Sequence, residues 1–204
     1  MYQQLFERNY GVFSVEEQDK VKNVRVVLIG CGGTGSVIGS ALARSGLEHF
    51  VLFDHDSFTE SNMNRQMTCF EDTLGRNKAS VLKETILKIN PQADVVVNER
   101  ALVVKEIPQM LQMGDVIVPA ADEWPLSITI LGAAKEHGKP AIMCYPAGAL
   151  GRVSTFLPTS PYAAECLVMP YKADYEQLKI FMNDPVNRQL CQYYRTDGDW
   201  TDEW

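Results

Sequence analysis

The residues of this chain best suited to chemistry begin at Gly30-Cys-Gly32-Gly-Thr-Gly35-Ser36. Gly30, Gly32 and Gly35 are spaced as G-x-G-x-x-G. Such a turn must be tight, must let the backbone approach a phosphate, and must let the next helix pack on the preceding strand. Glycine meets all three demands. The helix that follows offers unpaired N–H groups and partial positive charge to an anion. Asp54 ends a run from Phe50 to Phe53 and lies 24 residues after Gly30. That is close to the ~20-residue spacing of an acid that binds ribose hydroxyls. The pair of signals points to a ribose-bearing nucleotide, either NAD or ATP. The competing reading of the turn is packing with no ligand. Asp56, the second acid of Asp54-His-Asp56, is either part of the site or a solvated loop acid.

Cations separate the two nucleotides. NAD needs little beyond the turn and the ribose acid, whereas a triphosphate needs side-chain cations and a divalent metal. Arg65 stands in Ser61-Asn-Met-Asn-Arg-Gln66, and Arg76 and Lys78 open a predicted helix. Cations in a first helical turn oppose the macrodipole at about 0.3–1 kcal/mol each. Lys78 is therefore expected to face a bound anion, against the simpler account of a tolerated surface lysine. Asp122 follows a predicted strand, where an α/β sheet collects ligands. It suits Mg²⁺, which takes one or two carboxylates plus phosphate oxygens. It also suits the N-cap of the next helix.

These residues need a frame, and the pattern supplies one. Strands are expected at 24–29, 50–53, 94–98, 115–118, 141–145 and 151–157. Helices are expected from Ser14, where Ser14-Val-Glu-Glu17 forms a capping box, and over 36–44, 76–90, 105–113, 122–137 and 174–183. Residues 54–75 read as a long polar loop, a type that is usually functional. The alternation predicts an α/β fold: a Rossmann-like, doubly wound, mainly parallel sheet with helices on both faces. Residues 1–157 read as a nucleotide-binding domain. Residues 158–204 read as an irregular extension ending in the acidic Asp197-Gly-Asp-Trp-Thr-Asp-Glu-Trp204.

Composition bounds the rest. The 204 residues are 46% hydrophobic and 22% charged, which excludes disorder. The net charge of −7 argues against general nucleic-acid binding. No apolar run is long enough to span a membrane and no basic-then-apolar leader opens the chain, so a cytoplasmic location is expected. Five cysteines, none in C-x-x-C, and three histidines without H-x-x-x-H give no zinc or disulfide pattern.

Taken together, Gly30-x-Gly-Gly-x-Gly-Ser36, Asp54-x-Asp56, Ser61-Asn62-x-x-Arg65-Gln66, Gly75-x-x-Lys78, Asn90-Pro91 and Asp122 resemble the ubiquitin-activating-enzyme-like adenylyltransferases of ThiF/MoeB/HesA type. Gly148-x-x-Gly151-x-Val153 resembles the family's late glycine segment, so the likeness runs from about Arg8 to Val153. The resemblance implies formation of an acyl-adenylate from Mg-ATP on a carboxylate. That carboxylate is usually the C-terminal glycine of a ubiquitin-like or sulfur-carrier protein. It implies that Asp54 holds the ribose and that Gly32 and Gly33 lie against the phosphates. Asn62, Arg65, Gln66 and Lys78 would line the phosphate pocket, and Asp122 would bind Mg²⁺. Arg8 resembles the N-terminal arginine that reaches the nucleotide of the partner protomer in a homodimer. Many members carry paired C-x-x-C for a structural zinc. Here only Cys166 stands in that region, so no zinc is expected. Cys166 and Cys191 are the candidates for a thioester or persulfide. Three alternatives remain at this stage: adenylation of a modified-tRNA carboxylate, an NAD-dependent oxidoreductase, and a non-catalytic partner subunit.

Overall fold

A computed structural model describes residues 1–147, 150–166 and 169–187. Cys191, Gly148 and the acidic end from Asp197 lie outside the described residues. The frame is a six-stranded sheet in the order β3-β2-β1-β4-β5-β6. Its strands are β1 (Arg25–Ile29), β2 (His49–Phe53), β3 (Asp94–Asn98), β4 (Val116–Pro119), β5 (Ala141–Ala147) and β6 (Leu150–Phe156). Neighbours from β3 through β5 are parallel, with Val27 opposite Val51 and Ile117. β6 returns antiparallel along β5. This is the Rossmann-like α/β architecture that the alternation predicts.

The helices are α1 (Tyr2–Leu5), α2 (Val15–Asn23), α3 (Gly33–Arg44), α4 (Lys78–Ile89), α5 (Ile107–Leu111), α6 (Trp124–Glu136), α7 (Ala163–Cys166) and α8 (Tyr175–Asn183). The period-2 alternation of each strand sends side chains to opposite faces. Val26, Leu28, Phe50 and Leu52 meet Ala43 of α3 and Leu82 and Ile86 of α4 on one face. Val27, Ile29, Val51 and Phe53 meet α5 and α6 on the other. Ala163, Ala164, Met169 and Leu178 are buried in that second cluster, so α7 and α8 share the core of the sheet.

Local chemistry explains where the elements stop. Ser14 accepts from Glu17 N, and Glu17 returns a carboxylate to Ser14 N at 2.8 Å, closing the expected capping box of α2. Helix α3 starts at Gly33, three residues before the expected Ser36. The glycines have no apolar period, yet Gly35 must be helical to fit beneath the Gly30 carbonyl. Helix α4 starts at Lys78 rather than Arg76, because Asn77 is the N-cap and accepts from Ser80 N. The expected helix 105–113 is a 3-10 turn, Val104–Glu106, leading into the short α5, with Pro108 in its first turn. The loop at 54–75 contains two further 3-10 turns, Glu60–Asn62 and Glu71–Thr73.

Candidate nucleotide site

The sheet order changes direction at β1, whose neighbours are β2 and β4. Open α/β sheets bind ligands outside the carboxyl ends of the strands at such a point. Here the glycine turn leaves β1 and the Ala120-Ala121-Asp122 segment leaves β4. Gly30 has φ +95°, and a β-carbon on it would stand 2.7 Å from Ala121 N. A β-carbon on Gly35 would stand 1.8 Å from the Gly30 carbonyl oxygen. Both glycines are therefore required by close backbone approach. At Gly32 and Gly33 the space is looser. A β-carbon there would lie 3.5 Å from Gln66 Nε2 and 3.6 Å from the Arg65 carbonyl oxygen, respectively. The Ser61–Gln66 loop thus folds over the turn from above.

Asp54 sits between turn and loop. Its Oδ2 accepts from Cys31 N at 2.6 Å and its Oδ1 from Asp56 N at 2.9 Å. Each oxygen keeps lone-pair capacity for a ribose hydroxyl. The Cys31 thiol is fully buried, and burial pushes its pKa well up, with the Asp54 carboxylate adding to the effect and the Lys78 ammonium opposing it. Asp54 and Lys78 both lie within electrostatic reach of the turn.

Lys78 is 7% exposed, and its Nζ donates to Asp56 Oδ2 at 2.8 Å. That hydrogen bond is the main reason the Asp56 carboxyl lies below its ordinary range. The anion facing Lys78 in this structure is thus the chain's own Asp56. The surrounding backbone holds the pair in place. Lys78 N donates to the Asp56 carbonyl at 2.9 Å, and Asn77 Nδ2 donates to the Asp54 carbonyl at 2.8 Å. Arg76 lies outside the helix and pairs with Glu84 instead.

Gln66 is buried and its Oε1 has no hydrogen-bond partner among the described residues, leaving an acceptor beside Gly32. Asn62 is also buried, but its Oδ1 accepts from Thr59 N and closes the 3-10 turn. The Arg65 guanidinium is exposed, donates to the Ser61 carbonyl and Asn64 Oδ1, and meets no carboxylate among the described residues. Asp122 is exposed, and its carboxylate makes no hydrogen bond or ion pair among the described residues. The N-cap of α6 is Glu123, not Asp122, which corrects the alternative capping role.

Arg8 is not brought to this turn. It stands in a 3-10 turn, Glu7–Asn9, tied to the other end of α3: Asn9 Nδ2 donates to the Ser45 carbonyl and Tyr2 Oη to the Gly46 carbonyl. Twelve helical residues, ~18 Å at 1.5 Å each, separate that end from Gly33.

Two features escaped the sequence pattern. His55 joins Asp54 and Asp56, the three offering ligand atoms within 4.8 Å of one another. A carboxylate already bonded to an ammonium and a neighbouring imidazole suit a hard cation such as Mg²⁺ less well than the free Asp122 carboxylate does. The second feature is Tyr175 of α8, whose hydroxyl donates to Glu123 beside Asp122. Only contact across 52 residues reveals it. Among the described residues, no helix is long and apolar enough to cross a membrane.

Comparison with known proteins agrees with this geometry. A tRNA threonylcarbamoyladenosine dehydratase of Bacillus subtilis (strain 168) is 33% identical over 138 residues, 67% of this chain and 54% of the relative. The sulfur carrier protein ThiS adenylyltransferase of the same organism is 28% identical over 153 residues, 74% of this chain and 46% of the relative. The chain spans about half the length of these relatives. Among solved structures, E. coli TcdA in complex with ATP superimposes with a TM-score of 0.69 at 26% identity, over 72% of this chain and 61% of that one. E. coli MccB with MccA-N7isoASN gives 0.68 at 26% identity, over 88% of this chain and 57% of that one. The ThiF family model matches residues 6–196, nearly the whole sequence, and the chain belongs to the ThiF family.

Proposed function

We propose that this chain is an ATP-dependent adenylyltransferase that converts a C-terminal carboxylate of a ubiquitin-like or sulfur-carrier protein, or of a peptide, into an acyl-adenylate. The observation that carries this reading is the buried Lys78 ammonium beside the glycine turn, with the unneutralised Arg65 on the loop above it. A nicotinamide dinucleotide, with its smaller charge, would leave Arg65 unexplained and Lys78 answered by Asp56 alone. The ATP complex of TcdA supports the nucleotide.

In this reading Asp54 holds the ribose, and Gly32, Gly33 and Gln66 bound the phosphate channel. The substrate carboxylate oxygen attacks the α-phosphorus, a P–O bond forms, and the bond to the leaving pyrophosphate breaks. Charge accumulates on that leaving group. Lys78 and Arg65 therefore act mainly on the transition state, where donors already in place meet the charge as it develops. The pocket holds two anions close together, which supplies much of the remaining acceleration. Mg²⁺, when bound at Asp122, would neutralise charge on the phosphates. No side-chain nucleophile is required for this step.

Arg8 acts in this proposal from a second copy of the chain in a homodimer, since its own α3 keeps it from its own turn. Residues 158–204 are assigned to substrate or dimer contact, and the location is cytoplasmic. MccB overlaps 88% of the chain against 72% for TcdA, which favours the protein-or-peptide carboxylate. The 33% identity to a tRNA threonylcarbamoyladenosine dehydratase favours the second reading, a modified-tRNA carboxylate, and the net charge of −7 weighs against it.

The test is calorimetry with Mg-ATP and NADH, followed by ATP-dependent pyrophosphate exchange with a sulfur-carrier protein ending in Gly-Gly and with modified tRNA. Tighter binding of NADH would overturn the nucleotide assignment. Exchange with tRNA alone would transfer the substrate to the second reading. For Arg8, mixing the Arg8→Ala and Asp122→Ala proteins is expected to restore partial exchange through heterodimers. With subunit exchange verified, an inactive mixture would remove the assignment in trans.

A further inference from the structure

Glu123 occupies the N-cap of α6, a position where an acidic side chain ordinarily accepts from the helix's own N2 or N3 amide. It makes no such bond, and Pro125 at N2 has no N–H to give. Its carboxylate is instead held by the hydroxyl of Tyr175, the first residue of α8. Helix α8 is itself fixed at that end. Asp174 and Gln177 form a capping box, and Leu178 is fully buried in the core cluster beneath the sheet.

Asp122 therefore lies between two anchors. On its N-terminal side the Ala120-Ala121 backbone is pressed against Gly30, with no room for a β-carbon between them. On its C-terminal side Glu123 is tied to α8. The Asp122 side chain itself makes no bond among the described residues, so its direction depends on these neighbours.

We infer that Tyr175, through its hydrogen bond to Glu123, is a positioning residue for Asp122. The segment after Pro158 thereby becomes part of the apparatus that sets metal affinity at the nucleotide. This rests on the assignment of Asp122 to Mg²⁺ made above. Asp122 presents one carboxylate from a loop, and losing a bond that orients such a ligand's support costs ~10-fold in metal affinity at the lower end of the usual range.

The experiment titrates Mn²⁺ by electron paramagnetic resonance into the intact chain with α,β-methylene ATP, a nucleotide whose α–β bridge is not cleaved. It compares Tyr175→Phe, Glu123→Ala, Glu123→Gln and Asp122→Asn, with thermal unfolding recorded for each. The expected result is Mn²⁺ affinity about 10-fold weaker in both Tyr175→Phe and Glu123→Ala. Glu123→Gln keeps an oxygen acceptor for the phenol and is expected to retain wild-type affinity within about twofold, which separates positioning from the charge of Glu123. Should one of the two disrupting variants fail to fold, the other reads the same bond from its opposite end. Wild-type affinity in Tyr175→Phe alongside a weakened Asp122→Asn overturns the inference and leaves the Asp122 assignment standing. Equal losses in Glu123→Gln and Glu123→Ala also overturn it, since the carboxylate charge would then be the cause. Unchanged affinity in Asp122→Asn overturns the metal assignment and this inference together.

Discussion

Replacing Lys78 with methionine separates a binding role from a structural one. Methionine keeps an unbranched apolar stem of similar length, so the buried packing at the start of α4 survives. The Asp56 carboxylate is 53% exposed and can rehydrate once its partner is gone. A pair screened to that degree contributes about 0.2–1 kcal/mol. Against this, a cation at the first position of a helix costs about 0.3–1 kcal/mol, which the substitution relieves. The two contributions nearly cancel. The hydrogen bonds from Lys78 N and the Asn77 side-chain amide to carbonyls of the 54–56 segment do not involve the ammonium, so the pocket keeps its shape. Lys78→Met should therefore unfold within ~4 °C of wild type, the equivalent of about 1 kcal/mol in a chain of this size. Its effect on chemistry should be far larger: a transition-state donor is worth about 10²-fold or more in rate. The measurements are circular-dichroism melting, Mg-ATP calorimetry and pyrophosphate exchange with the Gly-Gly carrier. A variant that melts normally yet binds Mg-ATP within twofold and exchanges within threefold of wild type would refute the role. A melting point lowered by ~8 °C or more would show that the ammonium is there for stability.

Acid titration gives an independent reading of the same pair. Asp56 has its carboxyl depressed below 3.8 in the folded chain, so the stability it contributes is present above that ordinary value and lost as pH falls through the folded one. Lys78→Met should flatten the fall in unfolding free energy below about pH 4, measured by urea titration; an unchanged slope would contradict the geometry. Gly33→Ala replaces a helical glycine and meets only the Arg65 carbonyl at 3.6 Å, so it should hold or raise the melting point while weakening Mg-ATP binding; unaltered affinity would place the phosphates elsewhere. Gly35→Ala, with its β-carbon 1.8 Å from the Gly30 carbonyl oxygen, should instead fail to give a native melt. Leu178→Ala should cost about 2–5 kcal/mol in one cooperative transition; a separate early transition would make 158–187 an independent unit.

The comparison of sequence with structure divides along range. Gly30, Gly35 and Asp54 were legible because their demands are local: a turn, a close helix and a strand end all lie within two dozen residues. The sheet was legible because β-branched runs such as Val26–Ile29 bounded by glycine leave few other folds. Boundaries slipped where a cap or a glycine overrode periodicity, as at Asn77 for α4 and Gly33 for α3. The partner of Lys78 was not legible. A cation in a first turn signals an unmet electrostatic need, but the sequence cannot say whether a ligand or Asp56 answers it. The structure shows that Asp56 does so within the chain, and that answer sharpens the functional argument. A lysine that is 7% exposed and bonded to one half-exposed carboxylate keeps donor capacity, since its ammonium has three protons to give. In the proposed reading, a phosphate can therefore accept from Lys78 without displacing Asp56. On that reading the acid would aim the cation before the nucleotide arrives, so that the orientation cost is met during folding rather than during the reaction. A structural lysine would have no need of that spare donor capacity. A catalytic one would, and in the proposed reading the phosphates are what those remaining protons meet.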